Sequence, residues 1–100
     1  SRPSPTMAKL LQVVAGAVGQ VANNVAIVGH TDSLQYSAGR DYTNWELSTD
    51  RANTARRLMV SAGMRGKQIA QVSGKADTEP LTPDPLAPQN RRISITLLRD

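Results

Sequence analysis

Cysteine is absent from the sequence, histidine occurs once, and only three residues are aromatic. Without cysteine the chain can form neither a disulfide nor a thiolate zinc site, and a lone histidine supplies too few ligands for a closed metal site. Three aromatic side chains give little surface on which nucleic-acid bases can stack. We therefore expect no metal and no cofactor, and these absences also weaken a nucleic-acid-binding interpretation.

The sequence also lacks a long hydrophobic run. Its most apolar stretch, residues 10–28, is interrupted by four amide side chains, Gln12, Gln20, Asn23 and Asn24. A membrane-spanning helix needs roughly 20 mainly apolar residues, and the first five residues have no apolar segment of the kind a signal peptide requires. Since 100 residues suffice for one core, we expect one soluble domain over residues 5–100, preceded by a linker remnant at residues 1–4.

Catalytic motifs are missing as well. There is no Gly-x-Ser-x-Gly elbow and no Walker loop, so we expect a protein that is not an enzyme. The net charge of +4 and the pI near 10.1 indicate an anionic partner. Nucleic acid, an anionic membrane surface and a carboxylate-bearing polymer all qualify. The arginine pairs Arg56-Arg57 and Arg91-Arg92 could serve nucleic acid, but such pairs usually belong to a solvated face.

Local patterns in the first two thirds of the chain predict helix, strand and helix. Apolar residues at helical spacing follow an N-cap at Ser4-Pro5 and predict a helix from about Pro5 to Ala22. The β-branched run Val25–Val28 predicts a buried strand that ends at Gly29. Thr43 and Glu46 have the spacing of a capping box, which predicts a second helix to about Ala62, with Gly63 as its stop.

The last third of the chain predicts two strands separated by a loop. Ile69–Val72 is a weak strand, residues 74–90 contain four prolines and predict a loop without helix, and Arg92–Leu97 alternates polar and apolar residues. The whole order is typical of an α/β (α+β) sandwich in which helices cover a mixed sheet. Periodicity places eight residues in one core: Met7, Leu11, Val14, Val18, Ile27, Leu58, Ile93 and Ile95.

One charged residue interrupts an apolar helix stripe. Leu47, Ala55, Leu58 and Ala62 recur at intervals that form one face of the second helix, and Arg51 lies among them. A guanidinium stays charged at physiological pH, so its burial is costly unless an acceptor faces it. One interpretation therefore puts an anion near Arg51. The alternative is that Arg51 lies at the edge of the stripe and extends its head into water.

A short polar motif follows the first predicted strand. His30, Thr31 and Asp32 come directly after Gly29, and the carboxyl end of a strand in such a sheet is where ligand contacts tend to be presented. Asp32 and nearby backbone N–H groups are thus candidate ligand contacts. The alternative is structural, with Asp32 capping the turn and His30 held by a hydrogen bond inside the fold.

In order and spacing, several segments together resemble the OmpA-like peptidoglycan-binding domain: Gly29-His30-Thr31-Asp32, Asn44-x-x-Leu47-Ser48, Asp50-Arg51-Ala52, Gly63, Gly74 and Asn90-Arg91-Arg92-Ile93. Within that family, Tyr36–Gly39 and Tyr42–Asn53 are similar to the MotB type of flagellar stator protein. The resemblance covers about Pro5 to Leu98. Family members normally have a strand before the first helix, and residues 1–4 are too short to supply it.

The resemblance implies a ligand and a site. The family binds the stem peptide of the cell wall and holds its diaminopimelate with an acidic and a basic residue, whose positions match Asp32 and Arg51. A carboxylate can hold the ammonium group of such a zwitterion while a guanidinium forks onto its carboxylate. The resemblance also places four further residues near this pocket, Thr31, Asn44, Leu47 and Arg92. Strand register decides whether Arg91 or Arg92 points inward.

The resemblance further implies a cellular role. It predicts the periplasmic domain of an inner-membrane protein that binds peptidoglycan noncovalently and anchors the flagellar motor stator to the cell wall. A MotA-type subunit is the implied partner, through a membrane segment outside these 100 residues. Paired stator subunits imply a homodimer, although no coiled-coil heptads are present. Two alternatives stay open, a general OmpA- or Pal-like outer-membrane anchor and a basic nucleic-acid-binding module.

Overall fold

The computed structural model describes residues 4–34 and 42–98. Its helices and strands are α1 (Pro5–Val18), β1 (Val25–Gly29), α2 (Asn44–Ser61), β2 (Ile69–Gly74) and β3 (Ile93–Leu97). This is the predicted order. None of the described helices is both long and apolar enough to cross a membrane. The first three residues of the predicted linker remnant, and the segment Tyr36–Gly39, lie outside the described residues.

The three strands form one mixed sheet with β1 in the centre. β1 runs parallel to β2 and antiparallel to β3, so that Ile27 lies between Val72 and Ile95. α2 packs directly against β1 and β2, and α1 packs against α2. The predicted α+β sandwich, with helices on a mixed sheet, is confirmed.

The predicted core is also confirmed. Leu11 and Ile27 are buried in a single cluster, and the other six predicted residues are partly buried around it. The cluster also contains Ala52, Ala55 and Met59 on the inner face of α2. Small alanine side chains let α2 approach the sheet closely, which brings the start of this helix over the carboxyl ends of β1 and β2.

Two glycines allow that close approach. A Cβ atom at Gly29 would lie 2.1 Å from the carbonyl oxygen of Ser48, and one at Gly74 would lie 2.4 Å from the Ser48 hydroxyl oxygen. Side chains at either position would therefore push α2 away. The buried Ser48 hydroxyl also accepts a hydrogen bond from the backbone N–H of Ala76 at 3.0 Å. Ser48 thus joins α2 to the chain that leaves β2.

Several elements differ from the predictions, and β2, for example, continues past Val72 to Gly74. α1 ends at Val18 rather than near Ala22, because the buried side chain of Gln68 donates hydrogen bonds to the carbonyls of Val18, Val21 and Asn23 and holds that segment in a turn. The loop predicted to be free of helix contains a single 3₁₀ turn, Pro88–Asn90. Proline suits the first position of such a turn, where the backbone N–H needs no partner.

The start and end of α2 are close to the predicted ones. Thr43 and Glu46 form the predicted capping box, in which each side chain accepts a hydrogen bond from the backbone of the other residue. The helix ends at Ser61, and Gly63 follows with a φ angle of 112°. That backbone conformation strains any residue with a side chain, which explains why glycine stops the helix here.

Candidate functional site

The carboxyl end of β1 presents a row of buried polar residues. His30, Thr31 and Asp32 are all buried. The backbone N–H of His30 donates to the carbonyl of Arg92 at 2.8 Å, and that of Thr31 donates to the carbonyl of Ala76 at 2.8 Å. These bonds continue the sheet pairing for two residues beyond β1. The motif is therefore held rigidly between the chain that leaves β2 and the chain that enters β3.

Asp32 has both of its carboxylate oxygens engaged. Oδ1 accepts a hydrogen bond from the backbone N–H of Leu34 at 3.0 Å, so Asp32 caps the turn that follows, as the structural alternative predicted. Oδ2 lies 3.2 Å from Nε of Arg91. The Asp32 side chain is 10% exposed and the Arg91 side chain 50% exposed. Asp32 is thus nearly buried, while its cationic partner reaches it from solvent.

A small cavity opens beside Asp32. Its volume is about 120 Å³, and its lining consists of Thr31, Asp32, Leu34, Asn44, Leu47, Arg51 and Arg91. Asn44, the first residue of α2, donates a hydrogen bond to the carbonyl of Leu34 at 3.0 Å and so fixes the turn against the helix. Five of the six predicted site residues therefore meet at one cavity, and the exception is Arg92.

Arg51 lies on the flank of the buried face of α2. The centre of that face is formed by Ser48, Ala52, Ala55 and Met59, all buried, whereas Arg51 is half-buried. In residues 4–34 and 42–98, no carboxylate forms an ion pair with its guanidinium. The edge position agrees with the interpretation in which Arg51 lies at the edge of the apolar stripe. The cavity that Arg51 faces agrees with the interpretation that puts an anion near Arg51. The result is a cation directed at a small cavity whose one carboxylate is already paired with Arg91.

Arg91, and not Arg92, is the arginine beside Asp32. The side chain of Arg92 donates to the hydroxyl of Ser94 at 2.5 Å and to the carbonyl of Glu79 at 3.0 Å. It lines a neighbouring cavity of about 500 Å³. The resemblance placed Arg92 near the pocket and left the choice between the two arginines to strand register, and the structure has Arg91 on the lining of the small cavity. The 3₁₀ turn just before Arg91 decides which arginine faces Asp32, and the sequence motif carries no signal for that choice.

Asn90 holds the proline-rich loop in place next to Arg91. It is buried, its side-chain oxygen accepts hydrogen bonds from the backbone N–H groups of Leu81 and Thr82, and its amide donates to the carbonyl of Asp84. The predicted pocket residues did not include it. Its place in the motif Asn90-Arg91-Arg92-Ile93 is the signal that could have found it.

His30 is a structural residue. It is 2% exposed, and its Nε2 lies 3.3 Å from the hydroxyl of Ser94. It is not among the residues that line either cavity. Burial, followed by the positive charge of Arg92, lowers the pKa of His30 below its usual value. The imidazole is therefore neutral at pH 7, as expected of a histidine enclosed in a fold beside a cation.

The comparison with family models decides the family. The model of the OmpA family matches residues 3–94. The chain belongs to the OmpA family. Among curated proteins, it is 38% identical to Motility protein B of Escherichia coli (strain K12) over 98 residues, which cover 94% of this chain and 31% of that protein. The chain thus spans about a third of the length of this relative.

Solved structures of OmpA-like domains share the fold. The C-terminal domain of Helicobacter pylori MotB superposes with a TM-score of 0.84 at 21% identity, covering 99% of this chain and 78% of that one. The cell wall anchor of the T6SS from Pseudomonas aeruginosa superposes with a TM-score of 0.76 at 28% identity, covering 97% and 69% of the two chains. The predicted resemblance and the predicted fold are both confirmed.

Proposed function

We propose that this OmpA-family domain binds peptidoglycan noncovalently in the periplasm and anchors a flagellar motor stator to the cell wall. The observation that carries the proposal is the small cavity at the end of β1, where the Asp32 carboxylate and the Arg51 guanidinium meet. Similarity to Motility protein B supports the stator role. Similarity to a cell wall anchor of another system supports wall binding as the shared activity.

The cavity suits the zwitterionic end of diaminopimelate. The Asp32 carboxylate offers lone pairs to an ammonium group, and Arg51, which has no carboxylate partner in the described chain, offers a planar two-pronged donor to a carboxylate. The hydroxyl of Thr31 is buried and has no hydrogen-bond partner among the described residues, so it is available to the ligand. Asn44 and Leu47 complete the walls.

Arg91 is the cation that pairs with Asp32 in the structure. Because half of the Arg91 side chain is exposed, it can swing into solvent at little cost when an ammonium group approaches Oδ2. An ammonium group therefore replaces Arg91 or shares the carboxylate with it. Arg92, which lies outside the small cavity, contacts the peptide farther along.

The role of an anchor requires no chemical step, so we propose a protein that is not an enzyme. We further propose that this domain works as part of a stator protein in which a membrane segment would join it to a MotA-type subunit, and that two such domains would form a homodimer. The general OmpA- or Pal-like anchor would use the same cavity and differ only in what precedes the domain. None of the described residues that line the two cavities is aromatic, so the site offers bases no surface to stack on.

Co-sedimentation with purified peptidoglycan tests the proposal. The wild-type domain and Asp77→Asn should sediment with the polymer, and Asp32→Asn should stay in the supernatant. Asp77→Asn is a matched control, since it removes one negative charge at a residue that lines neither cavity. A DNA shift assay beside it addresses the nucleic-acid alternative, whose binding would weaken steeply with salt. DNA binding without sedimentation of the wild type would overturn the proposal.

A further inference from the structure

A larger cavity lies on the other side of Arg51. Its volume is about 500 Å³, and its walls come from the start of α1, the flank of α2 and the chain that enters β3. This volume falls in the range of about 300–1,000 Å³ that is typical of ligand pockets, whereas the cavity beside Asp32 is much smaller. Arg51 and Arg91 line both cavities and form a wall that they share. A peptide held at Asp32 therefore has room to continue past Arg51.

The larger cavity is strongly cationic. Three arginines line it, Arg51, Arg91 and Arg92, and none of the described residues that line it is acidic. Asp32 neutralises Arg91, but neither Arg51 nor Arg92 forms an ion pair with a carboxylate in the described parts of the chain. Arg92 donates instead to two neutral acceptors, a hydroxyl and a backbone carbonyl. Two guanidinium groups thus face one cavity without a counter-charge, which favours an anionic ligand.

The remaining walls are apolar. Met7 and Leu11 on α1 face Ala55 on α2 and Ile93 at the start of β3. Such walls suit the alkyl parts of a short peptide, while the arginines fix its charged group. The combination of cationic heads and apolar sides fits a carboxylate on a peptide chain better than a compact inorganic anion.

We propose that the larger cavity binds a second carboxylate of the same stem peptide, beyond the diaminopimelate held at Asp32 and Arg51. The inference rests on the proposed function, since it assigns the continuation of that ligand. It gives Arg92 a role in a carboxylate subsite rather than at Asp32. The peptide then crosses the shared wall of Arg51 and Arg91, with one charged group on each side.

Met7 offers a selective test of this subsite. It lines the larger cavity and not the smaller one. Met7→Glu places a carboxylate against the arginines, and Met7→Gln is the matched neutral control. Met7 is partly buried against the core, so both substitutions at this position lose the same apolar contact and differ only in charge. We expect Met7→Glu to bind a diaminopimelate muropeptide with free carboxylates about tenfold more weakly than Met7→Gln.

A second pair of variants and a second ligand guard against a local folding effect. Thr54→Glu and Thr54→Gln repeat the comparison from the α2 wall, and the glutamate variant should again be the weaker binder. A muropeptide amidated at every carboxylate outside diaminopimelate should bind the wild type about tenfold more weakly than the free acid. It should also bind Met7→Glu and Met7→Gln equally.

The outcomes separate this inference from the proposed function. If Asp32→Asn loses the muropeptide while each glutamate variant equals its glutamine control, the subsite is overturned and the proposed function stands. If the wild type binds neither muropeptide, both are overturned. A glutamate penalty that appears with the free acid and vanishes with the amidated ligand supports the subsite.

Discussion

Asp32 and Arg91 are joined by an ion pair at the end of the central strand, with Oδ2 of the first lying 3.2 Å from Nε of the second. Arg51 lines the same small cavity but has no carboxylate partner in the described chain. The two arginines therefore differ in kind. Arg91 compensates the charge of Asp32, whereas the charge of Arg51 is not compensated by any carboxylate of the described residues.

The ion pair itself should add little to stability. Because half of the Arg91 side chain is exposed, solvent screens its attraction to Asp32, and such pairs contribute about 0–1 kcal/mol. We expect Arg91→Gln to lower the free energy of unfolding by less than about 1 kcal/mol. Urea denaturation measures this directly. A loss of several kcal/mol would show that Arg91 is a structural residue and not a displaceable partner.

Close packing of α2 on the sheet gives a second prediction. A methyl group at Gly29 would lie 2.1 Å from the backbone carbonyl oxygen of Ser48, so Gly29→Ala must displace the helix. We expect a loss of at least about 3 kcal/mol in the free energy of unfolding, comparable to severe overpacking. The control is Gly16→Ala, on the exposed side of α1 with nothing within 4 Å of the new atom.

The control should behave in the opposite way. Alanine is a better helix former than glycine, so Gly16→Ala should raise the free energy of unfolding by about 0.5–1 kcal/mol. Thermal denaturation of both variants measures the difference. Equal stabilities of Gly29→Ala and the wild type would contradict the close contact between β1 and α2 that positions the site.

The buried histidine predicts a pH dependence. Burial and the charge of Arg92 lower the pKa of His30 in the folded state from its ordinary 6.5. In the unfolded chain His30 takes up a proton near pH 6.5, whereas the folded protein resists it. The contribution of His30 to stability is therefore fully present above the unfolded pKa and declines as pH falls toward the lowered folded pKa.

Chemical denaturation between about pH 7.5 and 5.5 tests the role of His30. The groups that act on the imidazole are Arg92, Lys75 and Glu79, and the first two disfavour its protonation. Wild-type stability should fall over this interval, and His30→Gln should show a smaller decline. Parallel curves for the two proteins would mean that other groups cause the dependence.

Much of the fold was predictable because local patterns agree with the packing. Periodicity in α1 matched the face that meets the core, and the capping box at Thr43 and Glu46 marked the start of α2. The predicted stripe of α2 was offset, because the buried face is centred on Ser48, Ala52 and Met59. The end of α1 was not predictable, because Gln68, 45 to 50 residues away, captures the carbonyls that end it. A hydrogen bond between residues so far apart in the sequence cannot be predicted from the local pattern around Val18.

The sequence predicted most of the residues that line the candidate site, but it did not predict which arginine pairs with Asp32. Thr31, Asp32, Asn44, Leu47 and Arg51 do meet at one cavity, but the partner of Asp32 is Arg91. Adjacent residues in an extended chain point to opposite sides, so one step of register exchanges Arg91 and Arg92. The 3₁₀ turn Pro88–Asn90 and the pairing of His30 with Arg92 set that register. Both depend on the folded chain.

Calorimetry with a diaminopimelate muropeptide measures directly whether Asp32 and Arg51 hold the ligand. The proteins are the wild type, Asp32→Asn, Arg51→Lys and the control Arg57→Lys, an exposed arginine of α2 that lines neither cavity. If Asp32 and Arg51 hold the ligand in a partly enclosed site, removing the Asp32 charge should cost about 2–5 kcal/mol of binding free energy.

Arg51→Lys should also weaken binding, because lysine keeps the charge but loses the planar fork of donors, while Arg57→Lys should leave binding unchanged. Circular dichroism first confirms that all four proteins are folded. We expect tight binding by the wild type and Arg57→Lys and clear losses in the other two. Unchanged binding in both Asp32→Asn and Arg51→Lys would show that these residues do not form the binding site.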